Sequence, residues 1–200
     1  HVGFSSHTEI DTFVDILDAY PKWEVVLTQM NYLDEYYQTG VMGLDELKRL
    51  NIGSMIMEPL RGGRLVQNIP PEVQKLWDCA EVKRTPVEWA LEYLWNRDDV
   101  DCVLSGMNSL EQVKQNIQIA SNVKEISESD QDLIREVART YKTLTGNECT
   151  SCGYCMPCPE GVDIINCFNE YNIGKMLNNP KGSAMQYFSL IDEDCRADSC

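Results

Sequence analysis

The chain has 200 residues, 43% of them hydrophobic, which suffices for one core or a core with an appendage. Its formal charge of −15, from 32 acidic against 17 basic side chains, argues against nucleic acid or an anionic membrane as partner, since phosphate binding needs clustered Lys and Arg. No apolar run reaches about 18 residues, so no membrane span is expected, and the opening His1–His7 lacks the basic and apolar regions of a signal peptide, which favours the cytoplasm.

Apolar runs and helical periodicity alternate to about residue 140, the pattern of βα units on a parallel sheet. The first unit pairs a strand over Val2–Ser5 with a Ser/Thr-capped helix whose apolar face carries Ile10, Phe13, Val14, Ile16 and Leu17. The second pairs Glu24–Gln29 with a helix over Gly43–Leu50. In the third, Gly53–Met57 is the strand, Glu58–Gly63 turns sharply, and a helix runs from Thr85 to Arg97 with Pro86 in its first turn, where a missing N–H is harmless. The fourth has a strand over Asp101–Ser105 and a helix opened by Ser109, with Gln112 three positions on. A further helix spans Glu128–Thr143. Beyond it a helix runs through Phe168 and Tyr171, and Asn178–Gly182 reads as a polar link. The domain boundary therefore falls at 143/144. No initiator Met opens the chain and Cys200 ends it abruptly, so it reads as a piece of a longer protein.

Cys149, Cys152, Cys155 and Cys158, followed by Pro159, carry the clearest chemistry. Three residues per step let a loop wrap one small inorganic core, and the bacterial ferredoxin run differs only by one more residue before its Cys-Pro. Disulfides between such close neighbours are strained, and the odd count of nine cysteines fits complete pairing poorly. Zinc accepts four sulfurs, but structural zinc sites usually split them into two pairs across a longer loop. A [4Fe–4S] cluster is the leading reading; a non-catalytic binding or structural protein with a four-cysteine zinc loop is the alternative. Cys79 and Cys102 read as buried small hydrophobes within the βα region, and the isolated Cys167 and Cys195 likewise.

Together Val2–His7, Thr28–Tyr32, Met57–Gly63, Ser105–Ser109 and the cysteine run with Gly161–Ile164 resemble the aldo/keto reductases, in the subgroup with a carboxy-terminal iron–sulfur extension. The resemblance implies an α/β fold: residues 1–143 as the second half of an eight-stranded (β/α) barrel, and 144–200 as a small, mainly helical 4Fe-4S ferredoxin-type domain. It implies an oxidoreductase of small carbonyl or alcohol substrates using NADP or NAD, with a redox protein as a further partner. Ser5, Ser6 and Gln29 would bond the nicotinamide carboxamide, and Met57 would stand where relatives stack an aromatic ring. Glu58–Gly63, with Pro59, Leu60 and Gly62, would fold over the pyrophosphate, with Arg61 and Arg64 as phosphate partners. Ser105 belongs to the last strand end, and Gln112, Gln115 and Asn116 match positions at the adenosine end. Gln112 replaces an Arg that grips the 2′-phosphate of NADP in many relatives, so the choice between NADP and NAD stays open. The family's catalytic Tyr, Lys, Asp and His come from the first half of the barrel, so no catalytic residue is assigned; Tyr32, Tyr36 and Tyr37 read as packing or pocket lining. By the ferredoxin pattern Cys158 would bind a second cluster and Cys200 would open a second motif; alternatively all four thiolates close one cluster.

Overall fold

The computed structural model describes residues 1–147, 149 and 153–200; Cys152 lies outside the described residues. The chain divides into two compact units, one of residues 1–66 and 80–135, the other of 67–79 and 136–200.

The first unit is built on a parallel sheet of four strands in sequence order: β1 (Gly3–Ser6), β2 (Val25–Gln29), β3 (Gly53–Met57) and β4 (Cys102–Val103). Its helices are α1 (Ile10–Ala19), α2 (Gly40–Leu50), α4 (Pro86–Trp95) and α5 (Leu110–Ala120), while α3 (Pro71–Cys79) belongs to the second unit. Period-two alternation sorts the strand side chains. Phe4, Val26, Ser54 and Ile56 face the helices: the Phe4 ring lies 5.8 Å from that of Phe13 in α1, and buried Thr28 bonds the hydroxyl of Thr39 at the start of α2. Ser5, Leu27, Met55 and Cys102 form one register row on the opposite face, half-buried in the middle and exposed at both ends.

Several helix ends follow from local chemistry. Thr85 accepts the Glu88 N–H while Glu88 accepts the Thr85 N–H, a complete capping box with Pro86 behind it. Ser109 accepts the Gln112 N–H, but the Gln112 amide oxygen turns to the N–H of Asn108 instead of closing a box. Arg84 sits inside this unit with its guanidinium on Glu92, Asp130 and the Glu125 carbonyl, at 4.5 Å from the centre of the Trp89 ring.

The sequence pattern misplaces some elements. β1 lies one residue later than expected, β4 shrinks to two residues, and α2 opens at Gly40. Cys79 and Cys102 are exposed, not buried: Cys79 ends α3, and Cys102 faces the uncovered side of the sheet beside Met55.

In the second unit, α6 (Glu128–Thr143), which begins in the first unit, leads into the cysteine loop; then come α7 (Ile164–Met176) and α8 (Pro180–Leu190). The supposed link at 178–182 is in fact a helix start, since the Asn179 side chain accepts the Gly182 N–H and Pro180 occupies the first turn. A cavity of about 650 Å³ is lined by Phe168, Glu170, Tyr171, Tyr187 and Phe188 of α7 and α8; it holds none of the expected site residues. Burial pushes the Cys167 thiol up despite its hydrogen bond with Tyr187.

Candidate active site at the strand ends

Four parallel strands bring their carboxyl ends to one edge, so Ser5 near the end of β1, Gln29 and Met57 closing β2 and β3, and Ser105 after β4 lie at the same end of the sheet. Gln29 pairs in register with Met57. Gln29 closes β2 and is buried, and Met57 closes β3 and is half-buried. Ser5 is exposed on the uncovered face. Ser6, one residue on, is on the helix side, buried, with its hydroxyl 2.8 Å from that of Thr8 and accepting the Thr8 N–H. The alternation of the strand thus separates two adjacent serines that the sequence placed on one ligand.

The turn after β3 is unusually wound. Glu58, Arg61, Gly62 and Gly63 all have positive φ, at 56°, 51°, 63° and 84°. Side chains other than Gly resist that conformation, at a cost of roughly 1–3 kcal/mol each, and such strain gathers at functional sites. Hydrogen bonds hold the turn: Arg61 N–H and the Asn31 side-chain amide both donate to the Glu58 carbonyl, and Leu65 N–H donates to that of Leu60. Pro59 is buried beneath it, Leu60 and Arg64 are half-buried, and Gly62 is exposed with open space around the position of a Cβ.

Asp34 is the hub that sequence reasoning missed. Its Oδ2 accepts from Gln29 Nε2 at 3.2 Å and Asn31 Nδ2 at 2.9 Å, and pairs with Arg61 Nε at 3.2 Å. Asn31 Oδ1 in turn accepts the N–H groups of Leu33 and Asp34, an Asx turn whose Asn-x-x-Asp signature just past a strand was the available signal. The ends of β2 and β3 are therefore joined through one carboxylate. Arg61 Nη1 is buried with no hydrogen-bond partner, an orphaned donor that an anionic oxygen would satisfy.

At the end of β4, Asn116 Nδ2 donates to Ser105 Oγ at 2.9 Å, so these two expected site residues meet directly. Gln112 is tied to the loop before α5, and Gln115 is exposed. Tyr32 is buried with its ring edge-on to Tyr93 at 6.3 Å, whereas Tyr36 and Tyr37 are exposed. The Tyr93 hydroxyl donates to Glu35 at 2.5 Å, and burial together with that carboxylate pushes its pKa well above the ordinary range.

In the second unit, the thiols of Cys149, Cys155 and Cys158 are free. Among the described residues no three His, Cys, Asp or Glu side chains converge as a metal centre. Cys155 and Cys158 lie between Gly153 and Gly161, both at a φ of 78° with open space around the position of a Cβ. Asn172 of α7 pins the entry to this loop, accepting the N–H groups of Gly146 and Asn147. Asn147 Oδ1 accepts the Cys149 N–H, leaving its own Nδ2 buried without a partner.

The model of the aldo/keto reductase family matches residues 1–139. Among solved structures, the aldo-keto reductase AKR11C1 from Bacillus halodurans is similar in its holo form, at 20% identity and a TM-score of 0.55, covering 68% of this chain and 49% of that one. Its apo form gives 20% identity and 0.54, with 66% and 49% covered. The chain thus spans about half the length of these structures, and the likeness is one of fold. No curated protein sequence matches significantly.

Proposed function

Because the chain belongs to the aldo/keto reductase family, we propose that it serves an oxidoreductase of small carbonyl or alcohol substrates, with NADP or NAD held at the ends of β1–β4 and a [4Fe–4S] cluster on Cys149, Cys152, Cys155 and Cys158. The observation that carries the nicotinamide half is the Gln29, Asp34 and Arg61 constellation. It sets an amide and a buried, unpartnered guanidinium donor at one strand-end site, the two kinds of group that a carboxamide and a diphosphate need. Arg61 and Arg64 are the phosphate partners in this reading. Met57, Pro59, Leu60 and Gly62 form the wall near the ring and diphosphate, and Ser105, Gln115 and Asn116 serve the adenosine end. Binding of NADPH or NADH, followed by quenching of tryptophan fluorescence, is expected in the low micromolar to millimolar range and should weaken in Gln29→Leu. No binding of either dinucleotide overturns this half.

The cluster half rests on the thiolate spacing and on free thiols at the described positions. Such a cluster moves one electron at a time, which makes a redox protein a fitting partner, and a reducing cytoplasm suits its thiolates. Anaerobic reconstitution should give a brown protein containing iron and sulfide. Cys152→Ser should lose that iron while the first unit stays folded. Cys158→Ser separates the two partitions: with one cluster on four thiolates it removes the same iron, and with a ferredoxin pair it depletes a different cluster. Stoichiometric zinc without iron overturns the reading.

A further inference from the structure

We propose that Asp34 is a positioning residue that sets the hydrogen-bonding polarity of the strand-end site, so that the site selects a carboxamide over a carboxylate. The inference rests on nicotinamide dinucleotide binding at these strand ends and adds what that reading leaves open: which edge of Gln29 meets the ligand, and why.

Gln29 and Asp34 are both buried, at 8% and 7% exposure, so neither is set by solvent. The contact at 3.2 Å between Gln29 Nε2 and Asp34 Oδ2 has a proton only in this orientation of the amide. Turned over, it would set the carbonyl oxygen of Gln29 against the carboxylate oxygen that pairs with Arg61, two acceptors with nothing between them. Asp34 thus takes up the donor edge and leaves Oε1 as the part of Gln29 offered to a ligand. A group bound there must bring an N–H. A carboxamide does so, and a carboxylate in its place meets a lone pair.

The same oxygen of Asp34 holds Arg61 by Nε, at 3.2 Å, and the Asn31 amide at 2.9 Å. Asn31 also reaches the Glu58 carbonyl, the first residue of the left-handed turn. Holding the guanidinium by Nε leaves its Nη1 for an anionic oxygen, and Nη1 is the atom found buried without a partner. One carboxylate therefore orients an acceptor for the carboxamide and a donor for the diphosphate. Removing it affects the two differently: Gln29 becomes free to turn, whereas Arg61 keeps its charge and loses only its anchor.

The test measures equilibrium affinities for three probes: NAD, its nicotinic acid analogue with a carboxylate in place of the carboxamide, and ADP-ribose, which keeps the diphosphate and lacks the ring. Wild-type protein should prefer NAD to the analogue by about ten- to a hundredfold, the cost of leaving a buried acceptor against another acceptor with no proton between them. In Asp34→Ala and Asp34→Leu, which remove the acceptor for Gln29 Nε2, that preference should fall towards unity, with ADP-ribose weakened only a few-fold. An unchanged ratio in folded variants, or no preference in the wild type, overturns the proposal. Equal affinity of the wild type for NAD and ADP-ribose would instead overturn ring binding at the strand ends. A ligand-free measurement decides the matter if the variants fail to fold: the Gln29 side-chain NH2 should show slowed hydrogen exchange by nuclear magnetic resonance, and exchange at the rate of a free amide overturns the role of Asp34.

Discussion

Replacing Arg84 by Met should be among the most damaging single changes in the first unit. The Arg84 side chain is fully buried, and its three partners come from separate segments: Glu92 Oε2 at 2.7 Å on α4, Asp130 Oδ2 at 3.1 Å on α6, and the Glu125 carbonyl at 2.7 Å between α5 and α6. Methionine fills most of the volume and keeps the contact with Trp89, but it leaves the carboxylates of Glu92 and Asp130, 0% and 5% exposed, without their cation. Stranding a buried charge in this way costs about 3–5 kcal/mol. At roughly 2–4 °C per kcal/mol for a chain of this size, the melting temperature should drop by about 6–20 °C. Urea unfolding followed by tryptophan fluorescence measures the loss as a fall in the midpoint at constant slope. A triple variant with Arg84→Met, Glu92→Met and Asp130→Leu should recover most of the stability, because a buried ionic cluster is often replaceable by apolar groups of similar volume. A single variant within about 0.5 kcal/mol of wild type, the usual range for surface changes, would refute the reasoning.

Glu88 supplies a pH dependence: burial pushes its carboxyl up, but the hydrogen bonds from Lys124 and from Thr85 outweigh this and leave it below its ordinary value of 4.5. Its contribution is therefore complete above that value and is lost as the pH falls through the lower folded value, so the stability gap between wild type and Glu88→Gln should be constant near neutrality and close in acid. Gly146→Ala drives a Cβ into the ring of Tyr171; the half-exposed ring can swing away, so thermal unfolding should show a loss of about 1 kcal/mol, at the low end for overpacking. Gln112→Arg should move affinity towards NADP by about ten- to a hundredfold if it faces the 2′-phosphate. It should also lower the melting temperature by a few degrees, since Arg cannot accept the Asn108 N–H and puts a cation in the first turn of α5. An unchanged ratio of NADP to NAD affinity would show that position 112 is turned from the cofactor.

What could be read from the sequence and what could not divide along a physical line. Strand and helix existence depends on periodicity that every residue of a segment repeats, and α6 over Glu128–Thr143 was legible to its ends because its apolar face and its Ser127 start agree. Where one local signal competes with another, the reading fails. Asn179-Pro180 is equally a turn and a helix start, and in the structure the Asn179 cap on Gly182 and the packing of α8 on α7 go together with the helix. The strand ends show the same limit at the scale of single atoms. Gln29 was legible as a polar group closing a strand, but its usable edge depends on Asp34, five residues away, and on Arg61, brought in by the next strand. Ser5 and Ser6 look equivalent in sequence and are opposite in space, since a one-residue shift of β1 decides which hydroxyl faces the helices. Residue type at a strand end thus marks a candidate site, while register and the buried partners behind it decide which atoms it offers. In this chain those partners converge on a carboxylate outside every motif that marks the site.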